Sequence, residues 1–244
     1  MGLFSSPQRA IKAVLVSQVL MAGAIVGLDV VRAPGSAVPG LYAPPAEGPG
    51  VRPYRPDLRP TDPTRPGAPA MRQMPQTLEF AETEDMIEII GQIAPGDADR
   101  FVAWLDRARP QARLVALDSS GGSVADALAI GRTIRGAGYA TRVADGAVCL
   151  SACPYIFAGG LDRQVEQGGV IGVHQHYFGQ NTVLPAFMAV GDLQRAQAGV
   201  MEFLVEMGVD LRLMTHALRI PPSEINILSP DLMTELSLTT QPET

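Results

Sequence analysis

The sequence predicts an α/β domain on a largely parallel sheet, preceded by a membrane helix and a proline-rich linker. Three observations predict it. Strand-like and helix-like patterns alternate after Thr77, glycines mark the junctions between them, and an apolar run near the amino end stands apart from both.

The amino end comes first. Ala13 to Leu28 is an uncharged, mostly apolar run behind Arg9 and Lys12, the layout of an export signal or a signal anchor. Extended to Ile11–Val31 it reaches the ~20 residues a bilayer core needs, with Lys12 snorkelling outward. "RAPGSAVPG" offers no clear small-x-small cleavage site, which favours an anchor over a removed signal, so the first expected segment is 1–32. Positive charge on the amino side then places the rest of the chain outside the cytoplasm, as a periplasmic domain anchored in the inner membrane. Residues 33–76 hold twelve of the 21 prolines, with four Arg-Pro pairs in "RPYRPDLRPTDPTRPG". Proline fixes φ and removes donors, so this segment is expected to be an extended tether with a reach on the order of 100 Å. Charge divides at the same boundary: residues 1–76 carry +4, leaving −10 for residues 77–244. So acidic a domain is a poor nucleic-acid binder.

Within 77–244, "DMIEIIGQI" (Asp85 to Ile93) reads as a strand. "PGDADRFVAWLDRAR" reads as a helix with Asp97 as N-cap and Phe101, Val102 and Leu105 on one face. "ARLVALDS" (Ala112 to Ser119) is a buried strand stopped by Gly121-Gly122, and "SVADALAIGRTIRGAG" a helix ending at glycines. "YATRVADGAVC" reads as one strand, "LSACPYIFAGG" as a short apolar helix with Pro154 in its first turn, and "GGVIGVH" as another strand. Helices follow at Asp192–Met207 and Leu211–Leu218. "SPDLMTEL" closes the domain, with Ser229 as cap and Pro230 at the first helical position.

Sheets of this kind place chemistry at the carboxyl ends of strands, and Ser151 and the Gly121-Gly122 turn sit at such ends. A serine hydroxyl needs a base to take its proton. The only lysine is Lys12, ahead of the apolar run, so the base must come from His174, His176 or His216. His174 lies just past the strand "GGVIGV", His176 two residues further, and His216 inside an amphipathic helix where a structural role is expected. His174 is therefore the candidate. Donors for an oxyanion are offered by the Gly121-Gly122 turn and by Ala152 at a helix start, where the helix dipole assists. The hydrolase elbow G-x-S-x-G is absent, because Cys149 and Cys153 flank the serine. These two cysteines with "HQH" would make a crowded metal site, so no metal and no cofactor are expected.

"ALDSSGGSVADALAIGRTIR", "CLSACPYIFAGG" and "GVIGVHQ" resemble the Clp protease proteolytic subunit and its relatives in the Clp/crotonase superfamily, closest to an exported periplasmic branch with cysteines around the serine. "IIGQI" and "ILSPDLMTELSL" resemble that family's first strand and a late helix, so the likeness covers about residues 85–238. The resemblance implies repeated β-β-α units, a Ser151 nucleophile, a His174 base, and oxyanion N–H groups from Gly122 and Ala152. It implies a peptide or protein substrate and a homo-oligomer assembled through the helices after the histidine. It also exposes a departure: the family's aspartate would fall near Pro221, in "RIPPSEIN", where none stands. Ser223, Glu224 or Asn226 is left to orient His174, with Asp210 a further candidate that also suits a helix cap. An oxidising compartment favours a Cys149–Cys153 disulfide over free thiols, and no ATP-driven unfoldase partner is expected there. The leading expectation is thus a membrane-tethered extracytoplasmic serine hydrolase. Against it stand a catalytically impaired scaffold and an acyl-CoA enzyme of crotonase type, which an acidic domain without lysine disfavours.

Overall fold

In the computed structural model, the structure describes residues 7–31, 50–57, 73–176 and 186–240. Most of the expected tether, residues 33–49 and 58–72, lies outside them. Helix α1, Pro7–Val31, is one continuous apolar element, and Ala10–Leu28 within it is long and apolar enough to cross a membrane. Its 25 residues span about 37 Å at the usual rise. Val14, Leu15, Val19, Leu20 and Ile25 are all exposed along it. A signal sequence has the same length and composition.

The α/β body contains strands β1 (Val51–Pro53), β2 (Glu79–Glu82), β3 (Ile87–Ile93), β4 (Leu114–Gly122), β5 (Ala140–Val143), β6 (Val148–Leu150), β7 (Arg163–Val165), β8 (Val170–Val173) and β9 (Glu224–Ile227). Its helices are α2 (Asp97–Ala108), α3 (Val124–Ala137), α4 (Cys153–Ala158), α5 (Ala186–Glu206), α6 (Arg212–Leu218) and α7 (Pro230–Glu235). The central strands pair in parallel: β3 with β4, β4 with β5 and β6, β5 with β7, and β6 with β8. Antiparallel pairs β2–β3, β8–β9 and β1–β9 finish the edges. β4 is the branch point, because Leu114–Ala116 pair with β5 while Ser119 pairs with Cys149 of β6. Such an α/β arrangement leaves the carboxyl ends of β4, β6 and β8 side by side.

Burial follows the pattern of apolar residues. Alternate residues of β3, from Ile87 to Ile93, are buried, and Phe101, Ile130, Ile134, Phe157, Ile171 and Phe203 form the centre of one core. Burying side chains of this size stabilises the fold by about 1.5–3 kcal/mol each. Two helix N-termini are tied together: Ser123 accepts from the Asp126 amide, and Asp126 Oδ1 accepts from the amides of Gly96 and Ala98 at the start of α2. Ser229 caps α7 in the same way, accepting from Leu232 N.

Several expectations are corrected. Gly96, with φ 91°, precedes α2, and Asp97 is not its cap: its buried Oδ2 accepts instead from Leu78 N and Ala94 N, a link between the loops around β3. Val102 is exposed, and the inward face of α2 is Phe101 with half-buried Trp104 and Leu105. Gly121 and Gly122 continue β4 rather than stopping it, since Gly122 still pairs with Ile93. "YATRVADGAVC" is two strands, β5 and β6, separated by a turn at Asp145-Gly146 where Gly146 takes φ 74°. The boundary at residue 77 is also displaced. Val51–Pro53 pairs with β9, and Pro75 O accepts from Gln92 N, so parts of the proline-rich stretch belong to the body.

Candidate active site

Ser151 follows β6 directly, and its amide donates to Gly172 O at 2.9 Å, so the β6–β8 ladder fixes where the residue stands. Its φ is 61°, in the left-handed region that a non-glycine residue enters at a cost of about 1–2 kcal/mol. Two devices over-determine the turn. The Cys149–Cys153 disulfide, with Cα atoms 5.0 Å apart, clamps the end of β6 to the start of α4. Gly121 presses against it from β4: a Cβ there would lie 2.4 Å from Leu150 O, 2.5 Å from Ser151 Cβ and 2.9 Å from Ala152 N. With φ 93° as well, only glycine fits.

β8 delivers the partner. His174 follows Val173, is only 4% exposed, and its Nε2 stands 2.7 Å from Ser151 Oγ. Burial lowers its pKa below the ordinary histidine value, while nearby backbone groups of Pro221, Pro222 and Glu224 act in the opposite sense. The imidazole is thus neutral at neutral pH and can accept the serine proton at Nε2. No family model matches this chain, and no curated protein matches it.

His176 is separated from this pair. Its Nε2 stands 2.7 Å from Tyr155 Oη, and burial, then the neighbouring His174, lowers its pKa to about 4. His216 sits half-buried on α6. Neither Ser223 nor Glu224 orients His174 through its side chain: among the described residues, buried Nδ1 has no hydrogen-bond partner, and neither has Glu224 Oε2. The turn leading into β9 supplies backbone to that side of the ring instead. Of the expected oxyanion donors, Ala152 lies where Gly121 packs on the serine turn. Gly122 faces the other way in its own packing, since a Cβ there would meet Ile93 O at 2.2 Å. Gly121 is therefore the glycine that abuts the serine. Among the described residues, no group of three or more His, Cys, Asp or Glu is placed to hold a metal ion.

One site residue escaped the sequence reading. Tyr54, from the Arg-Pro repeat, sets its ring edge-on to His174 with centroids 4.6 Å apart. Its hydroxyl donates to Ser120 O at 2.6 Å, and the Ser151 hydroxyl interacts with the same phenol oxygen. Burial pushes the Tyr54 phenol up to about 12, so it stays protonated. The only available signal was an aromatic, alone between residues 43 and 76, in a segment rich in proline and arginine.

Proposed function

We propose that the chain is a membrane-tethered extracytoplasmic serine hydrolase of the Clp/crotonase type, a peptidase working through an acyl-enzyme. The carrying observation is the 2.7 Å contact between Ser151 Oγ and the buried His174 Nε2. His174 takes the Oγ proton as Oγ bonds to the substrate's carbonyl carbon. The backbone N–H groups of Gly122 and Ala152 hold the developing oxyanion, since that of Gly121 already donates to Ser119 Oγ. The intermediate collapses, the leaving amine takes the proton from His174, and water, deprotonated by the same ring, releases the acyl group. The succession β5-β6-α4 then β7-β8-α5 supports the repeated-unit reading, and the disulfide and α1 support an oxidising compartment reached across a membrane. Exposed Val190, Met201 and Val205 on α5 suit self-association through that helix.

A fluorophosphonate probe tests the reading on the full chain. The serine oxygen displaces fluoride, labelling wild type and neither Ser151→Ala nor His174→Ala. Labelling that persists in Ser151→Ala, or a wild type that stays silent after the site is uncovered as described below, rejects it. Among the described residues no carboxylate partners Nδ1, which favours a second reading, a scaffold that has lost turnover, because an imidazole without an orienting carboxylate loses orders of magnitude in rate. Probe silence from a folded oligomer whose site has been uncovered would select that one.

A further inference from the structure

Taking the Ser–His pair as catalytic, we propose that Gly50–Asp57 is an autoinhibitory strap: Tyr54 roofs His174 and occupies the space beside Ser151 Oγ, and the strap must lift before substrate enters.

The strap is an element of its own. β1 is an edge strand held only by β9, in the register Val51↔Asn226, Arg52↔Ile225 and Pro53↔Glu224. Ile227 N donates to Gly50 O and Tyr54 N donates to Ser223 O, bracketing the paired residues. Beyond Tyr54, Ser120 Oγ donates to Pro56 O at 2.7 Å, so the segment crosses the rim of the sheet from β9 to β4. That path passes over the carboxyl ends of β8 and β6, where the candidate pair stands. Tyr54 is the strap's only deep anchor, packing with Met74, Val148, Leu150 and Ile225.

The chemistry of the contact is inhibitory. Tyr54 has one hydroxyl hydrogen, and it goes to Ser120 O. Only the lone pairs of the phenol remain toward Ser151, so Tyr54 can accept the serine proton's hydrogen bond in competition with His174 but cannot donate to an oxyanion there. The attachment is weak enough to reverse. Arg52, Pro53, Arg55, Pro56 and Asp57 are exposed, Pro53 has no amide to donate, and a short edge strand with few buried contacts opens at low cost.

Two full-chain variants lift the strap by different routes. Tyr54→Ala removes the roof. Gly50→Val leaves the site untouched and pushes the strap off β9, since a Cβ at Gly50 would lie 2.5 Å from Ile227 O and 2.9 Å from Asn226 Oδ1. The first readout is the rate of fluorophosphonate labelling at Ser151. The second needs no catalysis: carbethoxylation of His174 by diethyl pyrocarbonate in a Ser151→Ala background, located by mass spectrometry with His216 as internal reference. Both variants are expected to raise both rates by about ten-fold or more, as when a rarely populated open state becomes the dominant one. Unchanged His174 modification in both variants overturns the strap. Faster modification with slower labelling also overturns it, making Tyr54 a positioning residue for the imidazole. Faster modification with no labelling in any variant keeps the strap as a cover and rejects the hydrolase reading instead.

Discussion

A histidine that is to take a proton must be neutral, and at His174 burial does this without a carboxylate. Because its pKa lies below the ordinary value near 6.5, the fraction of competent base falls only at lower pH than for an exposed histidine. The acid limb of Ser151 labelling, followed in a strap-lifted variant, is therefore expected below pH 6.5, with a plateau above it; a limb centred at or above that value would contradict the assignment. Gly121 carries the second residue-scale prediction. Gly121→Ala must place a Cβ 2.4 Å from Leu150 O at φ 93°. It is expected to lose at least about 2 kcal/mol in chemical denaturation, and to lose labelling even at temperatures where it stays folded. The serine and the histidine were legible in the sequence because each follows a strand whose apolar run marks its end, and the glycine pair because it stands directly before a helical pattern. Which glycine touches the serine was not legible: a β-bulge between Ile90 and Gln92 shifts the register there, and bulges leave no signature in the apolar pattern. Tyr54 was hidden for another reason. Its partner β9 is a four-residue strand far along the chain, and pairing of that kind is written in no local period.

Elements were readable where an apolar run, a repeating apolar face or a cap marked them. α3 and α5, with repeating apolar faces, were evident. β5 and β6 were merged because nothing apolar breaks "YATRVADGAVC", and only the turn at Gly146 separates them. β2, β7 and β9 were missed, because polar residues interrupt each of these short strands and no apolar run marks them. The disulfide belongs to this scale, since it joins one element to the next across four positions. By the chain-entropy account so short a loop contributes about 2 kcal/mol. Its larger role is to hold the serine turn. Replacing both cysteines with alanine in the full chain is expected to lower the unfolding free energy by that amount and to slow labelling of Ser151 further than the stability loss explains. Labelling that survives unchanged would limit the bridge to a purely structural role.

For the molecule as a whole, two predictions concern where it resides and at what pH it stays folded. α1 is expected to keep the full chain in the membrane fraction through alkaline carbonate extraction, and a chain lacking residues 1–31 is expected to be recovered in the supernatant; equal partition of the two would remove the tether. His176 governs the second. Its folded pKa of about 4 lies below the unfolded value near 6.5, so in that window the unfolded chain binds a proton that the folded chain refuses. Stability therefore falls as pH drops from about 6.5 toward 4, by up to about 1.4 kcal/mol per pH unit. Denaturation midpoints measured across that range are expected to decline, and His176→Gln is expected to flatten the decline. The positive φ at residue 151 reaches furthest. A saturation library at that one codon, ranked by melting temperature, is expected to put glycine first, because it alone rests in that conformation without strain. Ranked by probe capture, the same library should leave serine alone at the top. Heat-based screening of this protein would thus discard the hydroxyl proposed to react while raising the melting temperature.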